Sequence, residues 1–442
     1  MSRQLRSIPW FTQSRHAHRA LIFALTIGGL APCAAATIYV TSTSGAKNVA
    51  TSCVIRDAIT AANTHAAVGG CAAGSATGSN VIELPPGGAL ISLTAADNID
   101  PSVPSFGANG LPVVISPITI HGNGAIIERS LAVPCNLNGQ LDAGEFRLMQ
   151  VQVGGSFELD DITLRNGCAD GDSSGGNGDS LSFGGILVLA NSSTAVLLRR
   201  VRMTNNSANL GSGAIGQISQ DPNTQGAGTL DIAYSTIDHN YAGFGPTITA
   251  LNPDSLSNCT TATSVNFRLF NSTVSDNGVG VLPTIFGCGT ARIEASTITA
   301  NQGSPAFQFS APTGAMAAIQ IKNSIIAGNT GGDCSLNNDA SLSVTGANLS
   351  SDASCPNFTY INTAPKLAPL GNYGGPTPTH EPLPASMAID AVTDCTRVDM
   401  TTITDDQRGI TRPLLGRFGD PLRCDIGAVE YNNDLNFADG FD

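Results

Sequence analysis

Positive charge is scarce in this sequence. Lysine occurs only at positions 47, 322 and 366, and Lys+Arg total 21 against 34 Asp+Glu. The formal charge of −13 offers no basic field for nucleic acid. Charged residues of both signs make up only 12% of the 442 positions. Aromatic residues are 5%, too few for the aromatic signatures of propeller blades. No CxxC pair occurs and histidines number 6, which argues against zinc. No apolar run is long enough to span a membrane permanently. Proline is ordinary at 24, and the 49 glycines follow no triplet period, so collagen is excluded.

What remains is a chain of Ser, Thr, Asn and Gly with enough apolar residues for a sizeable core. Residues 1–36 read as a signal peptide. Arg3, Arg6, Arg15 and Arg19 precede an apolar run from Ala20 to Leu30, and Ala34-x-Ala36 suits cleavage before Thr37. The sequence Leu30-Ala31-Pro32-Cys33 leaves a lipoprotein reading open, although Pro32 stands where a small residue is wanted. Beyond residue 36 lie ten cysteines in sequence-local couples: Cys53 with Cys71, Cys135 with Cys168, Cys259 with Cys288, Cys334 with Cys355, Cys395 with Cys424. In an oxidising compartment these predict up to five disulfides.

The middle of the chain repeats. The segments Phe157–Asn166, Ala195–Asn206, Thr229–Asn240, Asn266–Asn277, Ala291–Asn301 and Ala318–Asn329 each hold an alternating strand, a second short strand and an Asn. From Asn206 onward the Asn markers advance by 34, 37, 24 and 28 residues. Such a period with strand alternation means a solenoid, and no leucine-rich pattern accompanies it. The expected fold is all-β: a right-handed parallel β-helix, a pectate-lyase-like solenoid. Eight to ten rungs would give a rod of roughly 40–50 Å. Ile237 should stack near Val274, Ile298 and Ile326, and the turn asparagines should form a ladder. The expected organisation is an N-terminal cap with first strands over 37–111, rungs over 112–350, a C-terminal cap over 351–430 and a polar tail over 431–442. A capping helix over 52–63 would begin at Ser52 and bury Ile55, Ala58, Ile59 and Ala62. Val81–Leu84, Val113–Ile115 and Ile118–Ile120 read as first-rung strands, with Gly122-Asn-Gly124 as a tight turn between strands.

The stretch Cys53-Val-Ile-Arg-Asp-Ala-Ile-Thr-Ala-Ala-Asn63 resembles the CSLREA motif of secreted bacterial proteins, with Asp57 in place of Glu and Val54-Ile55 in place of Ser-Leu. Leu370–His380, Ala388-Ile-Asp390, Asp406-Gln-Arg-Gly409 with Arg412, and Cys424–Glu430 resemble the choice-of-anchor Q domain. The resemblance implies a β-helix exported to the surface or outer envelope of a Gram-negative bacterium, and it fixes no activity. It includes pectate-lyase-like proteins and non-catalytic surface proteins. Arg408 and Arg412 beside Asp390, Asp406 and Asp425 read as a paired polar network within the cap. A site built from His380, Asp406 and Glu430 has no reaction template.

A solenoid stacks outward residues in columns, which suits a polysaccharide. A lyase reading takes Arg199 or Arg202 as base, with Asp160, Asp161 and Asp238 as a Ca²⁺ or substrate clamp. A hydrolase reading takes Asp238 and Asp276 as the acid pair, assisted by His239. Arg165, Tyr234, Tyr241, Arg268 and Lys322 are candidates for substrate binding, the last two with Arg292 forming a basic line over successive rungs. The acidic loop 170–179 offers Asp170 and Asp172 for weak Ca²⁺ binding, outside any EF-hand spacing. The chemistry thus points to a polysaccharide-binding and polysaccharide-cleaving protein, with a non-catalytic adhesin or envelope component as the alternative and a non-glycan hydrolase as a third.

Overall fold

The computed structural model describes residues 35–99, 107–139, 142–152, 154–170, 182–219, 228–250, 265–303, 305–310, 317–336, 340–416, 419 and 421–432. Residues 1–34, Cys33, Cys259, Asp172 and the 433–442 tail lie outside them.

The fold is an all-β solenoid of short parallel strands, with one helix among the described residues. On its long face ten strands stack in chain order: Thr37–Tyr39, Asn80–Glu83, Ile118–Arg129, Ser156–Arg165, Ala195–Thr204, Thr229–Ala233, Val265–Phe270, Ile285–Glu294, Ala317–Lys322 and Ala340–Thr345. The opposite face stacks Met149–Val151, Ile186–Ala190, Ile215–Ser219, Ile248–Ala250, the start of Ile285–Glu294, Phe307–Ser310 and Cys334–Leu336. A short side joins Cys168–Ala169, Ser207–Ala208, Tyr241–Ala242 and Gly278–Val279.

Alternation sets this arrangement. In Thr229–Ala233 the inward Leu230 and Ile232 are buried, while Thr229, Asp231 and Ala233 stay partly accessible. The expected inner stack is present in register: Ile237 pairs with Val274, Val274 with Ile298, and Ile298 with Ile326. Corners are made by residues at positive φ, among them Arg200, Tyr234, Asn271 and Asn323 at equivalent places. Just beyond the next corner, Asn206, Asn240, Asn277, Asn301 and Asn329 form a ladder, its first four members buried, each Nδ2 donating to the Oδ1 of the next at 2.9–3.1 Å. The side chains thereby satisfy one another where the backbone turns away from its sheet. Gly280 belongs to the same crowding, since a Cβ there would stand 1.8 Å from the Gly243 carbonyl oxygen.

Four predicted disulfides are formed: Cys53–Cys71, Cys135–Cys168, Cys334–Cys355 and Cys395–Cys424. Cys288 is disulfide-bonded too. The helix, Ile55–Thr64, buries Ile55, Ala58, Ile59 and Ala62 against the solenoid. Ser52 does not cap it. The N-cap position is Val54, without a side-chain cap. Asp57 instead accepts from the Asn48 and Val49 amides in the preceding loop. Gly122-Asn-Gly124 is likewise no turn between strands. It is a bulge inside Ile118–Arg129, with Asn123 and Gly124 at positive φ and the register shifting between His121 and Ala125.

The expected C-terminal cap divides in two. Residues 351–363 cover the end, tied by Cys334–Cys355 and by the Leu349–Tyr360 bridge. Residues 364–432 turn back along the long face as a wrap. Thr236 Oγ donates to the Pro378 carbonyl, Asn271 Nδ2 to the Asp405 carbonyl and the Gly427 amide to the Asn323 carbonyl. Gln407 is buried in the seam. Its Nε2 donates to Thr236 Oγ and the Ser235 carbonyl, and its Oε1 accepts from Thr273 Oγ.

Candidate functional site

The wrap covers part of the long face and leaves a strip open. Ala233, Phe270, Glu294 and Lys322 form one outward column. This column is covered. Phe270 packs against Ile403, and Arg397 stands 4.3 Å above its ring. Glu294 accepts from Arg397 at 3.0 Å and from the Val398 amide at 2.6 Å. Lys322 donates to Asp394 at 2.8 Å and to Thr396 Oγ at 2.9 Å. Lys322, expected to bind substrate, is therefore buried in the seam: its position places it under the wrap.

Two residues earlier on each strand, Asp231, Arg268, Arg292 and Gln320 form the next outward column, with Thr229, Asn266 and Thr290 beside it. Asn266 and Thr290 are exposed, and the column itself is half-buried. Arg268, Arg292, Gln320, Asn266 and Thr290 line an open groove of 330 Å³ together with Ala318 and Phe267. Arg268 and Arg292 stand one rung apart, about 4.8 Å. Arg268 faces Asp231 at 3.4 Å, and Arg292 Nε donates to Gln320 Oε1 at 2.8 Å. Burial pushes the Asp231 carboxyl above its ordinary range, opposed by the positive charges of Arg268, Arg397 and Arg292. The expected basic line is thus present for two members, and Gln320 takes the third place. Gln320, Asn266 and Thr290 were not singled out from the sequence; their signal is their register with Arg268 and Arg292.

The other candidates are distributed elsewhere. Arg202 makes a paired contact with Asp238, Nε to Oδ1 at 2.9 Å and Nη2 to Oδ2 at 2.7 Å. Thr204 Oγ and His239 Nδ1 also lie 2.9 Å from Asp238 Oδ2. Asp238 is wholly buried and held by these four contacts, which closes it to a substrate. Arg165 pairs with Glu128, and Arg200 rather than Arg199 pairs with Asp160. Asp161 is a corner residue at positive φ. Asp170 is buried and accepts from the Gly139 amide. Tyr241 is exposed on the short side, away from the strip. Arg199 is exposed and stands 6.0 Å from the Tyr234 ring centre, beside a pocket between solenoid and wrap.

Ser275 Oγ lies 2.6 Å from Asp276 Oδ2 and 2.6 Å from His380 Nε2, and its single proton serves one of the two. His380 Nδ1 lies 2.8 Å from the Ala368 carbonyl, which fixes the proton on Nδ1. Burial lowers the His380 pKa, while Ala368, Asp276 and Asp238 act in the opposite direction. This Ser–His pair has the contacts of a nucleophile and base, yet Ser275 is wholly buried, sealed in the seam where it fastens the wrap.

The network around Arg408 and Arg412 has a structural character. Arg408 pairs with Asp406 at 2.8 Å, and Arg412 with Glu430 at 3.1 Å. Burial and the neighbouring Glu430 raise the Asp425 carboxyl well above its usual range. Among the described residues one trio of potential metal ligands converges, Cys135, Glu145 and Cys168. Its two sulfurs are joined to each other, so it has no thiolate to offer a metal. No protein-family model matches the chain, and no curated protein matches it.

Proposed function

We propose that this is an exported glycan-binding protein, with the open strip of the long face as its binding surface and an acidic polysaccharide as its ligand. The observation that carries the reading is the in-register pair Arg268 and Arg292 in an uncovered groove, with Asn266, Thr290 and Gln320 alongside. Successive guanidinium groups on successive rungs match a polymer that presents carboxylates periodically, and Arg binds carboxylate through its planar donors. Hydroxyl and amide side chains between them suit sugar hydroxyls. The local charge matters because the chain as a whole is acidic and repels a polyanion elsewhere.

The finer architecture belongs to the same reading: a right-handed parallel β-helix of the pectate-lyase-like kind, with CSLREA-like and choice-of-anchor Q-like ends, exported by its N-terminal 36 residues. Binding is favoured over cleavage because, among the described residues, the groove's lining holds no carboxylate, whereas hydrolysis uses two. Affinity electrophoresis of the folded protein in acidic and neutral polysaccharides tests this, with and without Ca²⁺. The expected result is retardation by acidic polymers, lost in Arg268→Ala/Arg292→Ala. Equal retardation of that variant overturns the strip as the site. Release of unsaturated uronates or new reducing ends would establish the lyase or hydrolase reading instead.

A further inference from the structure

Where the wrap meets the upstream part of the long face there is a second, smaller cavity of 100 Å³. Its lining comes from both sides of the seam: Arg199, Arg200 and Tyr234 from the solenoid, and Asp405, Gln407 and Arg408 with Gly409 from the wrap. Two of its three arginines are already neutralised. Arg200 is paired with Asp160, and Arg408 with Asp406 and Glu381. The third, Arg199, has no ion-pair partner among the described residues, only the Tyr234 ring at 6.0 Å. Asp405 is its counterpart. Its carboxylate accepts from the Tyr234 hydroxyl at 3.0 Å and, more distantly, from Thr404 Oγ, and no cation lies within ion-pair distance among the described residues. Burial and the Asp405 charge hold the Tyr234 hydroxyl above the ordinary tyrosine range, so it remains a donor and orients that carboxylate.

We propose that this pocket binds a small zwitterion, the ammonium and carboxylate of an α-amino acid, with Arg199 facing the carboxylate and Asp405 the ammonium. A simple anion gains Arg199 but is repelled by Asp405. A simple cation meets the reverse. A neutral sugar engages neither charge with a charge of its own. Only a ligand with both signs in one small head satisfies both groups. The pocket is small and open to solvent, which suits the head of such a ligand. The proposal is independent of the glycan reading, since the Arg268–Arg292 groove shares no lining residue with this pocket. The head belongs either to a free amino acid or to the zwitterionic end of a larger chain.

The test is ligand-observed NMR and calorimetry on the folded protein with alanine, acetate and ethylammonium as probes. Alanine should bind, with acetate and ethylammonium each weaker by about tenfold or more, the equivalent of one lost charge contact. A dipeptide, whose charges stand farther apart, should bind less well than alanine if the natural ligand is a free amino acid. A lysine Nε-linked to a carrier, with its α-amino and α-carboxyl groups free, should match alanine if the head is borne on a larger chain. If neither pattern appears, the zwitterion assignment is overturned. Arg199→Ala and Asp405→Asn should each abolish alanine binding while leaving the melting temperature and acidic-glycan retardation unchanged. Acetate binding as tightly as alanine, or alanine binding unaffected by Arg199→Ala, overturns the proposal, as does the absence of alanine binding to folded protein. Loss of glycan retardation in Arg268→Ala/Arg292→Ala with alanine binding intact separates the two sites.

Discussion

At the scale of single residues, the Asn ladder carries much of the fold's specificity. Asn277 Nδ2 donates to the Ile237 carbonyl and to Asn301 Oδ1, and its Oδ1 accepts from the Asn240 amide and side chain. Asn277→Ala strands several buried donors and acceptors at once and should cost about 3 kcal/mol in urea unfolding, at the upper end for one unsatisfied buried group. Asp231 governs ligand binding in another way. Its raised pKa means that mild acid neutralises it while the sugar carboxylates remain charged, which frees Arg268. Affinity for an acidic glycan should therefore rise as pH falls through the Asp231 titration, and Asp231→Asn should be tight throughout and flat. The Arg268–Arg292 alignment was legible in the repeat spacing. The burial of Lys322 was not, because only the approach of Asp394, 72 residues later, decides it.

At the scale of elements, rungs and wrap solve the same problem by different means. A rung satisfies its amides through the strand above and below. The wrap has no such ladder and uses buried carboxylates as acceptors. Asp406 takes the Arg408, Ile410 and Glu430 amides, Asp425 takes those of Asp390 and Tyr431, and Glu430 takes those of Leu414 and Asp425. Irregular backbone so fastened has no period, which is why the sequence shows the wrap as scattered short motifs, while alternation reveals the rungs. The expected helix cap failed for a related reason: a tertiary contact, Asp57 on the preceding loop, fixes the helix start where local Ser52 capping was anticipated. Burial raises the carboxyls of Asp425 and Glu430 above their unfolded values, so the folded state retains protons that the unfolded chain releases. Their contribution to stability falls as pH rises through that interval. Melting temperature should decline from mildly acidic to neutral pH, and Glu430→Gln should melt lower with a shallower slope.

At the scale of the whole molecule, a solenoid alone is held by neighbour contacts and unravels from either end. The wrap changes this, because its contacts run from Tyr234 through Thr273 and Thr297 to Lys322. Hydrogen exchange should show the amides of the strands from Thr229–Ala233 to Ile325–Ala327 opening together with one free energy, while Ser156–Arg165, which makes no hydrogen bond or ion pair to the wrap among the described residues, opens separately. A common opening energy for every rung would contradict a distinct role for the wrap.

The same strap sets a rule for how the chain can grow. Duplicating one coil would lengthen any ordinary solenoid by one step and carry its surface columns along unchanged. Between Thr229 and Ala327 an added coil would displace Lys322 from Asp394 while Tyr234 still held Asp405. The strap is a caliper of fixed span. Descendants of this protein can gain or lose coils upstream of it, whereas the coils it spans are fixed in number, and with them the length of the Asp231–Gln320 strip.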